Sequence, residues 1–152
     1  MKTLTTRILA LVAFSTAASA QTKFKADTVM KINPATCTVT GTATVGSQPA
    51  GNCFAGTGIW VANSNSDSLS KIDPATSHLT SATSGGSSPN GLCFDGANLW
   101  ISNNRASIVT KLDARTETIV GTYEVESGPL GVCFDGVNIW VACETDGSLI
   151  KL

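Results

Sequence analysis

The sequence predicts an all-β protein built from repeated four-stranded units, and three observations carry that prediction. One stretch recurs: "GNCFAGTGIWVANS" from Gly51, "GLCFDGANLWISNN" from Gly91 and "GVCFDGVNIWVACE" from Gly131 begin 40 residues apart. The whole units 31–70, 71–110 and 111–150 then align without gaps. Nine positions are identical in all three, including Pro49/Pro89/Pro129, Phe54/Phe94/Phe134 and Trp60/Trp100/Trp140. A fixed period of this length marks a repeat architecture. Finally, the chain is poor in charge and rich in Gly, Ser, Thr and Asn, as many short strands joined by tight turns require. No segment has a helical period.

The elements follow in chain order. Residues 1–20 have the form of a secretory signal: Lys2 and Arg7 precede the apolar run Ile8 to Phe14, and Ala18-Ser19-Ala20 supplies small residues before Gln21. The apolar run is too short to span a membrane as a helix, and no later segment approaches that length. The expected mature chain is residues 21–152. Without Lys2 and Arg7, 8 basic residues face 11 acidic ones, a charge near −3. That mild acidity argues against a nucleic-acid partner, which needs a basic stripe.

Within each unit four strand-length pieces appear. In the second, "GLCFDG" and "NLWISN" face each other across Asp95-Gly96, a hairpin-turn signature whose glycine accepts positive φ. "ASIVTKLD" follows a loop at 103–105. The turn "DART" then leads into "ETIVGTYEV", where Ile119, Gly121, Tyr123 and Val125 share one face. The matching turns "NPAT" and "DPAT" carry proline where it presets φ. The Thr-rich "TVTGTATVG" suits a solvated outer strand.

A 40-residue, four-stranded unit is the size of a β-propeller blade. The pattern "P-x-G-x-x-F-D-G-x-x-I-W-V-A-N" followed by "K-I-D-P-A-T" resembles the YVTN and streptogramin-lyase-like propeller repeats of bacterial secreted and periplasmic proteins. The resemblance covers the residues after the signal and implies a secreted or periplasmic propeller, with "GLCFDG" innermost and the Thr-rich segment outermost. A β-helix is the structural alternative, set aside because its coils are shorter and lack the DG hairpin. The tryptophans read as core residues between blades. The repeated lysines Lys31, Lys71, Lys111 and Lys151 read as structural, their stems covering apolar surface.

Five cysteines leave at least one thiol free or bonded to another chain. Cys53, Cys93 and Cys133 share one repeat position, too far apart for a disulfide, and read as small buried hydrophobes. Cys37 and Cys143 lie at opposite ends of a blade, so no bridge between them is expected. No C-x-x-C or paired-histidine spacing suggests zinc.

The ends leave closure open. Residues 25–32 resemble a third strand and "TVTGTATVG" a fourth, whereas the last unit supplies only strands one to three. Three blades are below the number a ring needs. Either two chains join head to tail as a homodimer with six blades, or the chain is a fragment of a longer propeller with exposed edges.

On function, the expectation is a non-catalytic binding or scaffold module acting through its blade loops, with no cofactor, no metal and no catalytic residue. Its ligand, a small molecule, glycan or peptide, would meet the polar loop residues Asn63, Asn65, Asn103, Asn104, Arg105 and Glu144, where the repeats differ most. The alternative, suggested by the resemblance, is a lyase- or lactonase-type propeller enzyme. Against it, the one histidine, His78, opens an outer strand. Asp95 and Asp135 occupy DG turns that explain them by turn chemistry.

Overall fold

The computed structural model describes residues 26–152. The expected signal lies outside them. The described residues form thirteen strands and one 3-10 turn, Asn104–Ala106. The strands are β1 (Thr28–Asn33), β2 (Thr38–Thr44), β3 (Pro49–Ala55), β4 (Gly58–Asn63), β5 (Ser68–Ile72), β6 (Leu79–Ser84), β7 (Pro89–Phe94), β8 (Asn98–Asn103), β9 (Ile108–Asp113), β10 (Ile119–Glu124), β11 (Pro129–Phe134), β12 (Ile139–Cys143) and β13 (Ser148–Lys151).

Every pairing is antiparallel and joins strands adjacent in sequence, so each sheet is a meander. Two sheets are complete four-stranded blades, β3–β6 and β7–β10. A third, β11–β13, lacks its outer strand, and the pair β1–β2 supplies the outer half of a blade before β3. The blades are offset from the sequence units, since each begins at a proline: Pro49, Pro89 or Pro129.

The turns show why these segments fold as they do. Asn33, Asp73 and Asp113 each accept backbone N–H groups two and three residues on, capping the tight turn between third and fourth strands. Between first and second strands Gly96 and Gly136 both sit at φ 102°, the left-handed region a hairpin needs.

Blades stack face to face, and the repeat positions decide what meets. Trp60, Ala62 and Leu69 look forward from β4 and β5 and are covered by Leu92, Leu99, Ile101 and Leu112 of the next blade. One repeat on, Trp100 and Val109 meet Ile139 and Val141. The half-blade covers only the outer part of β3–β6, where Ala43, Val29 and Val45 meet Val61 and Ile72. Innermost strands come very close: a Cβ on Gly51 would lie 2.1 Å from the Asn90 carbonyl oxygen, and one on Gly91 equally near that of Leu130. Glycine is the residue that permits this approach.

Candidate binding face and its framework

A recurring stack fixes each blade. Asp95 accepts hydrogen bonds from the backbone N–H groups of Ala97 (2.9 Å) and Asn98 (2.6 Å) and from the Trp100 indole (2.8 Å). Asp135 repeats the arrangement with Val137, Asn138 and Trp140. Lys71, Lys111 and Lys151 lie over the Trp60, Trp100 and Trp140 rings at 5.1, 4.9 and 6.0 Å. Tyr123 adds a tilted ring contact to Trp100 at 5.3 Å. Lys71 also reaches the next blade, pairing with Glu117 at 2.9 Å, and Lys31 donates to the Pro74 carbonyl at 2.8 Å.

The carboxylates respond to this framework. Partial burial is the largest single effect on Asp95 and pushes its pKa up. The Asn98 N–H, the indole, the Ala97 N–H and the Asn98 amide together outweigh it and hold the group at about 2. Asp135 is held well below the usual range, first by the Asn138 N–H and then by the Trp140 indole. Glu117 is lowered by the Ser81 hydroxyl and the Lys71 ammonium, against some desolvation. The first blade breaks the pattern. Ala55 stands where the others have aspartate, and the buried Trp60 indole N–H has no partner. These aspartates serve both turn and tryptophan, a second role the DG dipeptide alone did not reveal.

The loops between second and third strands form the other end of each blade. They are clasped to the loop entering the same blade: Ser64, Asn104 and Glu144 donate backbone N–H groups to the carbonyls of Gln48, Ser88 and Gly128. Asp27 and Asp67 accept the N–H of Gln48 and Ser88 at 3.0 and 2.8 Å, and Asp146 accepts that of Ser127. The six sequence candidates divide on this frame. Asn65, Arg105 and Glu144 are exposed and Asn104 is half-buried. Asn63 and Asn103 are fully buried at strand ends. The Asn63 amide donates to Ser68 and Ser70, and the Asn103 amide to Thr110 and the Ile101 carbonyl. Their work is inside the blade.

The thiols are all free. Burial pushes Cys53 up to about 11 and Cys93 up to about 12, the latter helped by its neighbours Cys53 and Cys133. The expectation of three buried positions holds only in part: Cys53 and Cys93 are half-buried, and Cys133 is exposed, with no blade among the described residues covering its face. Cys143 is the buried one. His78 is exposed just before β6. Among the described residues no three His, Cys, Asp or Glu side chains converge as a metal site, and no helix is long and apolar enough to cross a membrane.

Comparison with known proteins places the fold. No family model and no curated protein matches the chain. Solved structures of β-propeller type do match. Hydrazine synthase of Kuenenia stuttgartiensis is 23% identical with a TM-score of 0.72, over 83% of this chain and 40% of that one. U3-55K is 12% identical with a TM-score of 0.66, over 84% and 46%. AztD of Citrobacter koseri is 11% identical with a TM-score of 0.59, over 72% and 33%. The chain thus spans less than half the length of each of these structures. At such identities the likeness shows fold alone: these residues are β-propeller blades, and the sheets formed by the described residues do not close into a ring.

Proposed function

We propose that the protein is a secreted or periplasmic propeller module that binds a partner without catalysis, through its second-to-third-strand loops. The observation that carries this reading is a contrast between frame and tips. Backbone clasps from residues 64, 104 and 144 anchor the three loops at equivalent points, while the side chains they display differ: Asn65 in the first, Asn104 and Arg105 in the second, Glu144 in the third. A fixed frame with variable polar tips is how rigid scaffolds present recognition surfaces. Export rests on the signal-like residues 1–20.

Asp95 and Asp135, the acids weighed for an enzyme, are committed to their own turns and to Trp100 and Trp140. The test is a binding screen of glycan and peptide arrays with the wild-type protein, followed by Arg105→Ala and Glu144→Ala. Binding weakened about tenfold or more at unchanged thermal stability supports the loop face. Ligands indifferent to both substitutions, or lyase or lactonase turnover abolished by a chelator, would overturn it.

A further inference from the structure

We propose that the groove between the two complete blades, at their hairpin end, binds the carboxylate of a small organic acid, which takes the place beside Trp60 that Asp95 fills beside Trp100. In β7–β8 and β11–β12 the hairpin reads Asp-Gly-x-Asn, and a carboxylate oxygen of Asp95 or Asp135 receives the tryptophan indole at 2.8 or 2.7 Å. The β3–β4 hairpin reads Ala55-Gly56-Thr57-Gly58 and has lost both polar side chains together. Trp60 keeps its place. It is completely buried, and its Nε1–H is left without an acceptor. An indole N–H can only donate, and a buried donor left unpaired is rare in folded proteins. The other two hairpins show, within the same chain, which acceptor this donor fits.

A groove runs beside that donor. Its volume is about 410 Å³, within the range of small-molecule sites. Gly56, Thr57 and Lys71 form one wall, and Phe94, Ala114 and Arg115 of the next blade form the other. Both walls belong to complete four-stranded blades. Phe94 and Ala114 also pack against the cluster that holds Ala55 and Trp60, so the same side chains floor the groove and cover the indole. The Lys71 stem is the movable part of that cover. It lies across Gly58, where a Cβ would be 2.9 Å from its Cγ, and its ammonium rests over the Trp60 ring at 5.1 Å. A lysine stem is flexible and carries a point charge. Swung aside, it opens the way to the indole and stays beside the incoming anion, with Arg115 as a second cation.

The acids around the groove are all engaged elsewhere. Asp113, in the lining, accepts the backbone N–H groups of Arg115 and Thr116 in its own turn. Glu117 is held by Lys71 and the Ser81 hydroxyl, and Asp95 holds Trp100. Residues 1–25 contain neither Asp nor Glu. The acceptor is therefore assigned to a ligand. Its carboxylate meets an indole N–H and an ammonium away from bulk water, where charge-assisted hydrogen bonds are strongest. Its apolar remainder lies along Phe94 and Ala114. The site is at the opposite end of β4 from the variable loops, so it stands or falls independently of the loop reading.

Proton–nitrogen correlation NMR tests this, because three tryptophans give three indole signals. The probe is N-acetylphenylalanine, and its primary amide, of the same shape without the charge, is the control. The acid should move the Trp60 signal, assigned with Trp60→Phe, and saturate it with a Kd of roughly 1 mM, as a ligand of this size allows. The Trp100 and Trp140 signals should stay in place. The amide should bind about tenfold more weakly or worse. Ala55→Asp supplies the carboxylate from the chain itself. It should abolish the titration with the circular dichroism spectrum unchanged, its Trp60 signal already displaced in the direction the acid produces. A Trp60 signal indifferent to the acid, equal binding of acid and amide, or an Ala55→Asp variant that still titrates overturns the proposal.

Discussion

Replacing Asp95 by alanine should destabilise the protein by about 2 kcal/mol at neutral pH, a figure that follows from what the carboxylate holds. Its pKa falls from 3.8 to about 2 on folding, equivalent to roughly 2 kcal/mol by linkage. Because the group is partly in contact with water, about half of that is realised. The substitution also strands the Trp100 indole N–H, which adds roughly 1 kcal/mol where the ring is nearly buried. Urea denaturation at fixed protein concentration measures the change. The pH dependence has a defined sign. A carboxyl with a lowered folded pKa stabilises fully above pH 4, and that contribution fades as pH falls towards 2. The wild type should therefore lose its advantage over Asp95→Asn in that window. The paired control is Asp135→Ala, whose carboxylate and tryptophan are more exposed and should matter less. Equal effects at the two positions, or a wild-type advantage that persists at pH 2, would refute the account.

Three other outcomes follow from the same geometry. Gly91→Ala should cost roughly 3 kcal/mol in thermal or urea unfolding, since its Cβ meets the Leu130 carbonyl, a backbone atom that cannot turn aside. Gln48→Gly should stabilise by roughly 0.5–1 kcal/mol in the same assay, because Gln48 sits at φ 56° where the third repeat places Gly128 at φ 72°. Alkylation followed by peptide mass spectrometry at mildly alkaline pH should label Cys37 well before Cys53 and Cys93, whose thiols burial keeps protonated.

Much of the fold was legible because it is local. Hairpin glycines, the Asx turns at Asn33, Asp73 and Asp113, and the repeat period are short-range signals, and every strand pairs with a sequence neighbour. The missing outer strand of the last blade was legible too, since the 40-residue period counts strands. The interior of the candidate site was not. Asn63 and Asn103 look like loop tips, being polar and next to polar residues, yet each closes a strand and turns inward. A signal for this did exist. Asn63 meets Ser70 and Asn103 meets Thr110, while the third repeat changes both partners together, to Cys143 and Ile150, which pack in an apolar cluster. A polar pair replaced as a pair by an apolar one marks contact, and comparison of the repeats within the single chain contained it. The dual role of Asp95 was hidden for a different reason: turn chemistry was already sufficient to explain the residue.

The sequential meander has a consequence for how the molecule comes apart. Each blade touches only its neighbours, so stability behaves as a one-dimensional sum of blade and interface contributions. The sheet β7–β10 alone has a complete blade on one side and most of another on the other. Opening should therefore begin at the flanks and move inward, with amide hydrogens of β13 and β1 exchanging first and those of β8 last.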